Sequence, residues 1–127
     1  MNVARFDPTA TFTAEEMASV RKRSDLTGLL CVIHAWVVIG AAIALYAIWP
    51  NPLTFIAAIV IIGSRQLGLG ILQHDAAHGV LMKTRWLNEF VGQWFCAYPV
   101  LGDMISYRHY HLVHHRRTQQ PDDPDLS

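Results

Sequence analysis

An excess of charge of either sign is the first thing this sequence lacks. Ten Lys and Arg balance ten Asp and Glu over 127 residues. No basic stripe stands above the rest, so nucleic acid is not an expected partner. Cysteine is scarce too. Cys31 and Cys96 are the only two, and they do not suggest a disulfide framework. Each lies in an apolar or amphipathic run and is expected to be a small buried thiol. Without repeats or low-complexity tracts, a chain of this length makes one domain at most.

A local absence decides the broad class. The stretch TGLLCVIHAWVVIGAAIALYAIW, Thr27 to Trp49, contains no Asp, Glu, Lys or Arg in 23 residues. As a helix it would be roughly 34 Å long, enough to cross a bilayer core. It is too long, and starts too far in, for a signal peptide. Trp49-Pro50-Asn51-Pro52 then marks a tight turn. Leu53 to Gln73 is a second apolar run, interrupted by Ser64-Arg65-Gln66. The two runs predict a hairpin that crosses the membrane and returns. Arg5, Arg21, Lys22 and Arg23 precede it, Lys83, Arg85, Arg108, Arg116 and Arg117 follow it, and the turn carries no base. Basic residues mark the cytoplasmic side, so both ends of the hairpin are expected there.

The flanking segments are shorter. Thr13-Ala14-Glu15-Glu16 has capping-box spacing and predicts a short helix from Ala14 to Arg23. In Arg85 to Tyr98, RWLNEFVGQWFCAY, one half of a helical wheel holds Trp86, Leu87, Phe90, Val91, Trp94, Phe95 and Tyr98. The other half holds Asn88, Glu89, Gly92 and Gln93. Too short to span, it is expected to lie at the headgroup boundary. The fold expected is therefore all-α and integral to a membrane. It comprises a cytoplasmic N-terminal segment (1–26), a transmembrane hairpin (27–73, with spans 27–49 and 53–73) and a cytoplasmic histidine-bearing region (74–127) that includes the interfacial helix.

What the sequence does have is histidine, seven in all. His74 and His78 are four apart, so on a helix they share a face. His111, His114 and His115 fall within about 100° of one another on a helix, with His109 near the opposite side. Five histidines thus form two convergent groups, H-x-x-x-H and H-x-x-H-H. Neutral imidazole is the commonest protein metal ligand. Five exceed the need of one catalytic zinc, which takes about three protein ligands. Two metals are the simpler account, and nitrogen-rich ligation favours a redox metal such as iron.

HDAAHG after an apolar span, followed by YHLVHHRRT and PDDPD, resembles the membrane fatty-acid desaturase/hydroxylase family. The resemblance implies an integral-membrane di-iron oxidoreductase with its histidine boxes facing the cytoplasm and His74, His78, His111, His114 and His115 as iron ligands. It implies dioxygen as co-substrate, a membrane lipid or other acyl chain as substrate, and a ferredoxin or small cytochrome as electron donor. It also implies a third box, again H-x-x-H-H, which these 127 residues do not contain. The chain is therefore expected to be the N-terminal part of a longer desaturase and inactive alone. The other reading of the missing box is an inactive relative.

Three further functions compete with a desaturase. A hydroxylase or ketolase acting on a carotenoid or other lipid would use similar boxes. An intramembrane zinc protease would need H-E-x-x-H, where this chain has Asp75, and would leave the second group idle. A non-catalytic membrane scaffold could keep the boxes. Asp75 either orients a ligand imidazole or is a solvated helix-end carboxylate. Arg65, inside the second run, is expected to make a structural pairing, and His34, inside the first, to pack between helices.

Overall fold

The computed structural model describes residues 11–126. Arg5, one of the bases that orient the hairpin, lies outside the described residues. Thr13 closes a capping box with Glu16 and starts α1, Ala14–Val20. Ser24 caps α2, Asp25–Ile48, and Asn51 caps α3, Pro52–Ala77. The Asn51 side chain accepts from Leu53 N at 3.0 Å and Thr54 N at 3.1 Å. With Pro52 preset at the first helical position, those bonds turn the chain back within three residues. Among the described residues there is no strand.

Both α2 and α3 are long and apolar enough to cross a membrane. Most of their large side chains face outward, among them Leu30, Val37, Ile43, Phe55, Ile59 and Leu67. Only a narrow seam is buried between them, with Ala35, Ile39 and Leu69 at its centre. Cys31 is exposed rather than buried, whereas Cys96 is fully buried and its thiol is pushed up to about 12. The pairing expected of Arg65 is not found among the described residues. Its Nε reaches only Ser64 Oγ at 3.5 Å. Across the groove it lines, α2 presents His34 rather than a carboxylate.

The end of α3 is set by Gly79. It adopts φ +70°, which favours glycine. Gly79 N donates to Ala76 O and Val80 N to Asp75 O, both at 2.9 Å. That pair of bonds stops the helix with His78 as its last half-helical residue. The chain then folds back over α2. Thr84 N and Oγ1 each donate to the Asp25 carboxylate at 2.7 Å, and Arg23 donates to Gly79 O at 2.6 Å. Gly28 makes this approach possible, because a Cβ there would sit 2.2 Å from the Leu81 carbonyl oxygen. A backbone atom cannot swing aside as a side-chain tip can. Gly28→Ala is therefore predicted to cost about 1–3 kcal/mol, read as a lower thermal unfolding midpoint in lipid nanodiscs. An unchanged midpoint would refute this packing.

The segment expected as one amphipathic helix over 85–98 is continuous but changes pitch twice. α4 covers Arg85–Val91, a π-helical turn covers Gly92–Ala97, and a 3-10 turn covers Tyr98–Val100. Its polar half points into the protein. Asn88 is 1% exposed, and Gly92 and Gln93 are also buried, while Trp86, Phe90, Trp94, Phe95 and Tyr98 face out. Such inversion suits a helix with its apolar face in lipid. The inward groups are satisfied. Asn88 Nδ2 donates to Ala76 O at 2.9 Å and Asn88 Oδ1 accepts from Met82 N at 3.2 Å. Gln93 Oε1 accepts from Met104 N at 3.1 Å. Asp103 then caps α5, Met104–Arg117.

Candidate metal centre

Two helices supply the histidines. His74 lies in the last turn of α3 and His78 at its C-cap. His111, His114 and His115 lie in the C-terminal half of α5. Arg108 holds the two helix ends together. Its Nε donates to Ala77 O at 2.8 Å and its Nη2 to Ala76 O at 3.1 Å. The same guanidinium grips Glu89 of α4 with two bonds, 3.0 Å and 2.9 Å. It thus gives the Ala77 carbonyl at the end of α3 a partner, adds a third donor to Ala76 O beside Gly79 N and Asn88 Nδ2, and ties α5 to the end of α3 between the two histidine groups.

Between the helices, one ligand atom from each of His74, His78, His111 and His115 comes within 4.8 Å of the others. His111 is the hub. Its Nε2 lies 3.0 Å from His78 Nε2 and 2.9 Å from His115 Nε2. On its other side its ring stacks on Tyr107, with centroids 4.8 Å apart. Burial, then repulsion from neighbouring imidazoles, holds His78 and His111 below the usual histidine range. That favours the neutral form, the one that offers a lone pair to a metal. His74 Nδ1 is 3.3 Å from Asp75 Oδ1, and both side chains are about two-fifths exposed.

His114 is turned differently. Its ring centroid is 6.1 Å from that of His111 and 5.7 Å from that of His115. Its Nδ1 is 2.8 Å from Asp123 Oδ1 and 3.0 Å from Asp125 Oδ2. The hydrogen bond with Asp123 raises the histidine's pKa and lowers the aspartate's. His114, Asp123 and Asp125 make a second group that could hold a metal by donor spacing. His109 is exposed and belongs to neither group. Neither Arg108 nor Asp123 was singled out from sequence. An arginine beside a membrane reads first as a topology signal. The prolines of PDDPD do announce a turn, but not which histidine it faces.

The donor set fits iron. Imidazole nitrogens suit it, and four of them would converge on one ion from the two helices. The fatty acid desaturase family profile matches residues 49–127 of this chain. Over 80 residues the chain is 40% identical to dihydrorhizobitoxine desaturase of Bradyrhizobium elkanii, covering 61% of this chain and 22% of that protein. Over 66 residues it is 32% identical to sn-1 oleoyl-lipid 12-desaturase of Anabaena variabilis, covering 52% of this chain and 19% of that protein. The chain spans about a fifth of the length of these curated relatives. No solved structure matches it.

Proposed function

Because the chain belongs to the fatty acid desaturase family, we propose that its two histidine groups hold a di-iron centre with which the whole protein dehydrogenates an acyl chain. The ligands in this reading are His74, His78, His111, His114 and His115, with Asp75 orienting His74. One observation carries it. His111 Nε2 meets two other Nε2 atoms at hydrogen-bond distance, yet a ring nitrogen has one site, a single proton or a single lone pair, for two partners. A cation that receives all three lone pairs removes the conflict. The family generally uses iron, and the nitrogen-rich donor set suits it.

Bound iron supplies an oxidant made from dioxygen, strong enough to take hydrogen from an unactivated methylene, which no side chain can do. Overall, two hydrogens leave neighbouring carbons and a double bond forms. Dioxygen is reduced to two waters by the two hydrogens of the substrate together with two electrons from a donor and two protons from solvent. That donor is a ferredoxin or small cytochrome. This chain's own residues have narrower tasks. Arg108 and Glu89 fix the distance between the helices, and Tyr107 sets the plane of His111. The two relatives are named for different substrates, dihydrorhizobitoxine and an oleoyl lipid, and dehydrogenation is what they share. Iron content and product analysis of the whole protein test the reading. Iron bound and an alkene formed is the expected result. An iron-free protein or an oxygenated product overturns it.

The family and the two apolar helices point to a membrane. We place the histidines on its cytoplasmic side, from the bases at both ends of the hairpin and their absence from the turn. Reporter fusions after Arg23, at Asn51 and after Lys83 are predicted to read cytoplasmic, external and cytoplasmic. A cytoplasmic signal at Asn51 would reverse the orientation.

A further inference from the structure

The PDDPD segment, which the reading above does not use, closes a turn beneath α5. Asp123 is its centre and is only 2% exposed. A carboxylate so deeply buried needs donors on both oxygens. It has them. Oδ2 accepts from Gln119 N at 2.9 Å, and Oδ1 accepts from Asp125 N at 3.0 Å. The remaining donor is His114, whose Nδ1 stands 2.8 Å from Oδ1. Asp125 approaches the same Nδ1 through its other face and is itself held by the Tyr110 hydroxyl.

Unless a cation sits among His114, Asp123 and Asp125, two carboxylates against one ring nitrogen leave that nitrogen a single role. A bare Nδ1 would set its lone pair against both anions, so Nδ1 carries the proton. The ring's only remaining donor site for a metal is Nε2. That is also the atom through which His78, His111 and His115 converge. His74 repeats the pattern, with Asp75 against its Nδ1. One histidine of each box therefore has a carboxylate against its Nδ1.

We propose that Asp123 is a positioning residue. Held in the 119–125 turn, it locks His114 in the Nδ1–H form and aims Nε2 as a metal ligand. This inference rests on the histidines being metal ligands. Without the lock a neutral imidazole populates both tautomers, and His114 rotates freely about its side-chain bonds. Such carboxylate partners are typically worth 10–100-fold in metal affinity.

The test uses the protein in lipid nanodiscs with two readouts. Nitrogen-15 NMR of the metal-free protein reports the His114 tautomer, and titration with ferrous iron reports affinity. In the wild type, His114 is expected to carry its proton on Nδ1 only. Asp123→Ala is expected to give mixed tautomers and about tenfold or greater loss of affinity, with unchanged helix content by circular dichroism. If Asp123→Ala fails to fold, Asp123→Asn carries the test. Its amide must point an NH2 at one of the donors that Asp123 accepts from, and a severalfold loss is expected. Wild-type iron affinity in a folded Asp123 variant overturns this proposal alone, as does a wild-type His114 protonated on Nε2 only. A wild type that takes up no iron overturns the metal reading, and this proposal with it.

Discussion

His111→Ala is expected to empty the metal centre. Iron per chain should fall to background and alkene yield of the whole protein should become undetectable, while helix content stays at the wild-type value. The reason is the hub geometry. His111 Nε2 is the atom that both His78 and His115 approach, at 3.0 Å and 2.9 Å. Its loss removes a ligand and also opens a gap between the α3 and α5 histidines. The helix is expected to survive the truncation, because His111 is only half-buried and its ring neighbours are side chains rather than backbone. The comparison is His109→Ala, on the same helix, exposed and outside both groups. It should keep its iron. If His109→Ala loses iron as completely as His111→Ala, α5 does not present the ligands this way.

Arg108→Lys is expected to lower both stability and iron affinity, although the charge is kept. Arginine here makes four bonds from one planar fork, two to the carbonyls of Ala76 and Ala77 and two to Glu89. An ammonium can satisfy one of these targets but not the set. Ala76 O keeps Gly79 N and Asn88 Nδ2, but Ala77 O and the Glu89 carboxylate cannot both keep the geometry of the fork. We expect about 2 kcal/mol of lost stability, the scale of hydrogen bonds to charged groups. Iron affinity should fall by about tenfold, since the same bonds set the distance between His78 and His111. Thermal unfolding by circular dichroism and iron titration check the two effects. A lysine variant equal to the wild type in both would show that the helix ends hold their spacing without the fork.

Much of this arrangement is legible in the residues themselves. The charge-free run from Thr27, the prolines of the turn and the apolar run from Leu53 give the hairpin, because length and hydropathy are local properties. Four-residue spacing puts His74 and His78 on one face, although the apolar run ends at Gln73 and α3 continues to Ala77. Two features are not legible, for stated reasons. A helical wheel of 85–98 assumes a uniform turn, and the π-helical widening over Gly92–Ala97 breaks that assumption. The wheel also cannot tell which half faces the protein when lipid is the solvent, so it does not give the burial of Asn88 and Gln93. The second group of donors is invisible for another reason. Asp123 reaches His114 across nine residues through a turn, a separation with no periodic signature.

The stopping point of α3 at His78 has an electrostatic consequence. His74 and His78 occupy the C-terminal end of α3, and His114 and His115 the last turn of α5. Both helices thus bring their carbonyl ends to one place. Each such end carries the equivalent of roughly half a negative charge. Imidazoles are neutral when they ligate and offset none of a cation's charge. The carbonyl ends would add to the charge of Asp75, Asp123 and Asp125 as a fixed field, stronger from α5 than from α3, where Arg108 meets the Ala76 and Ala77 carbonyls. A glycine at position 79, which ends α3 at that residue, therefore sets where the negative pole of a helix falls.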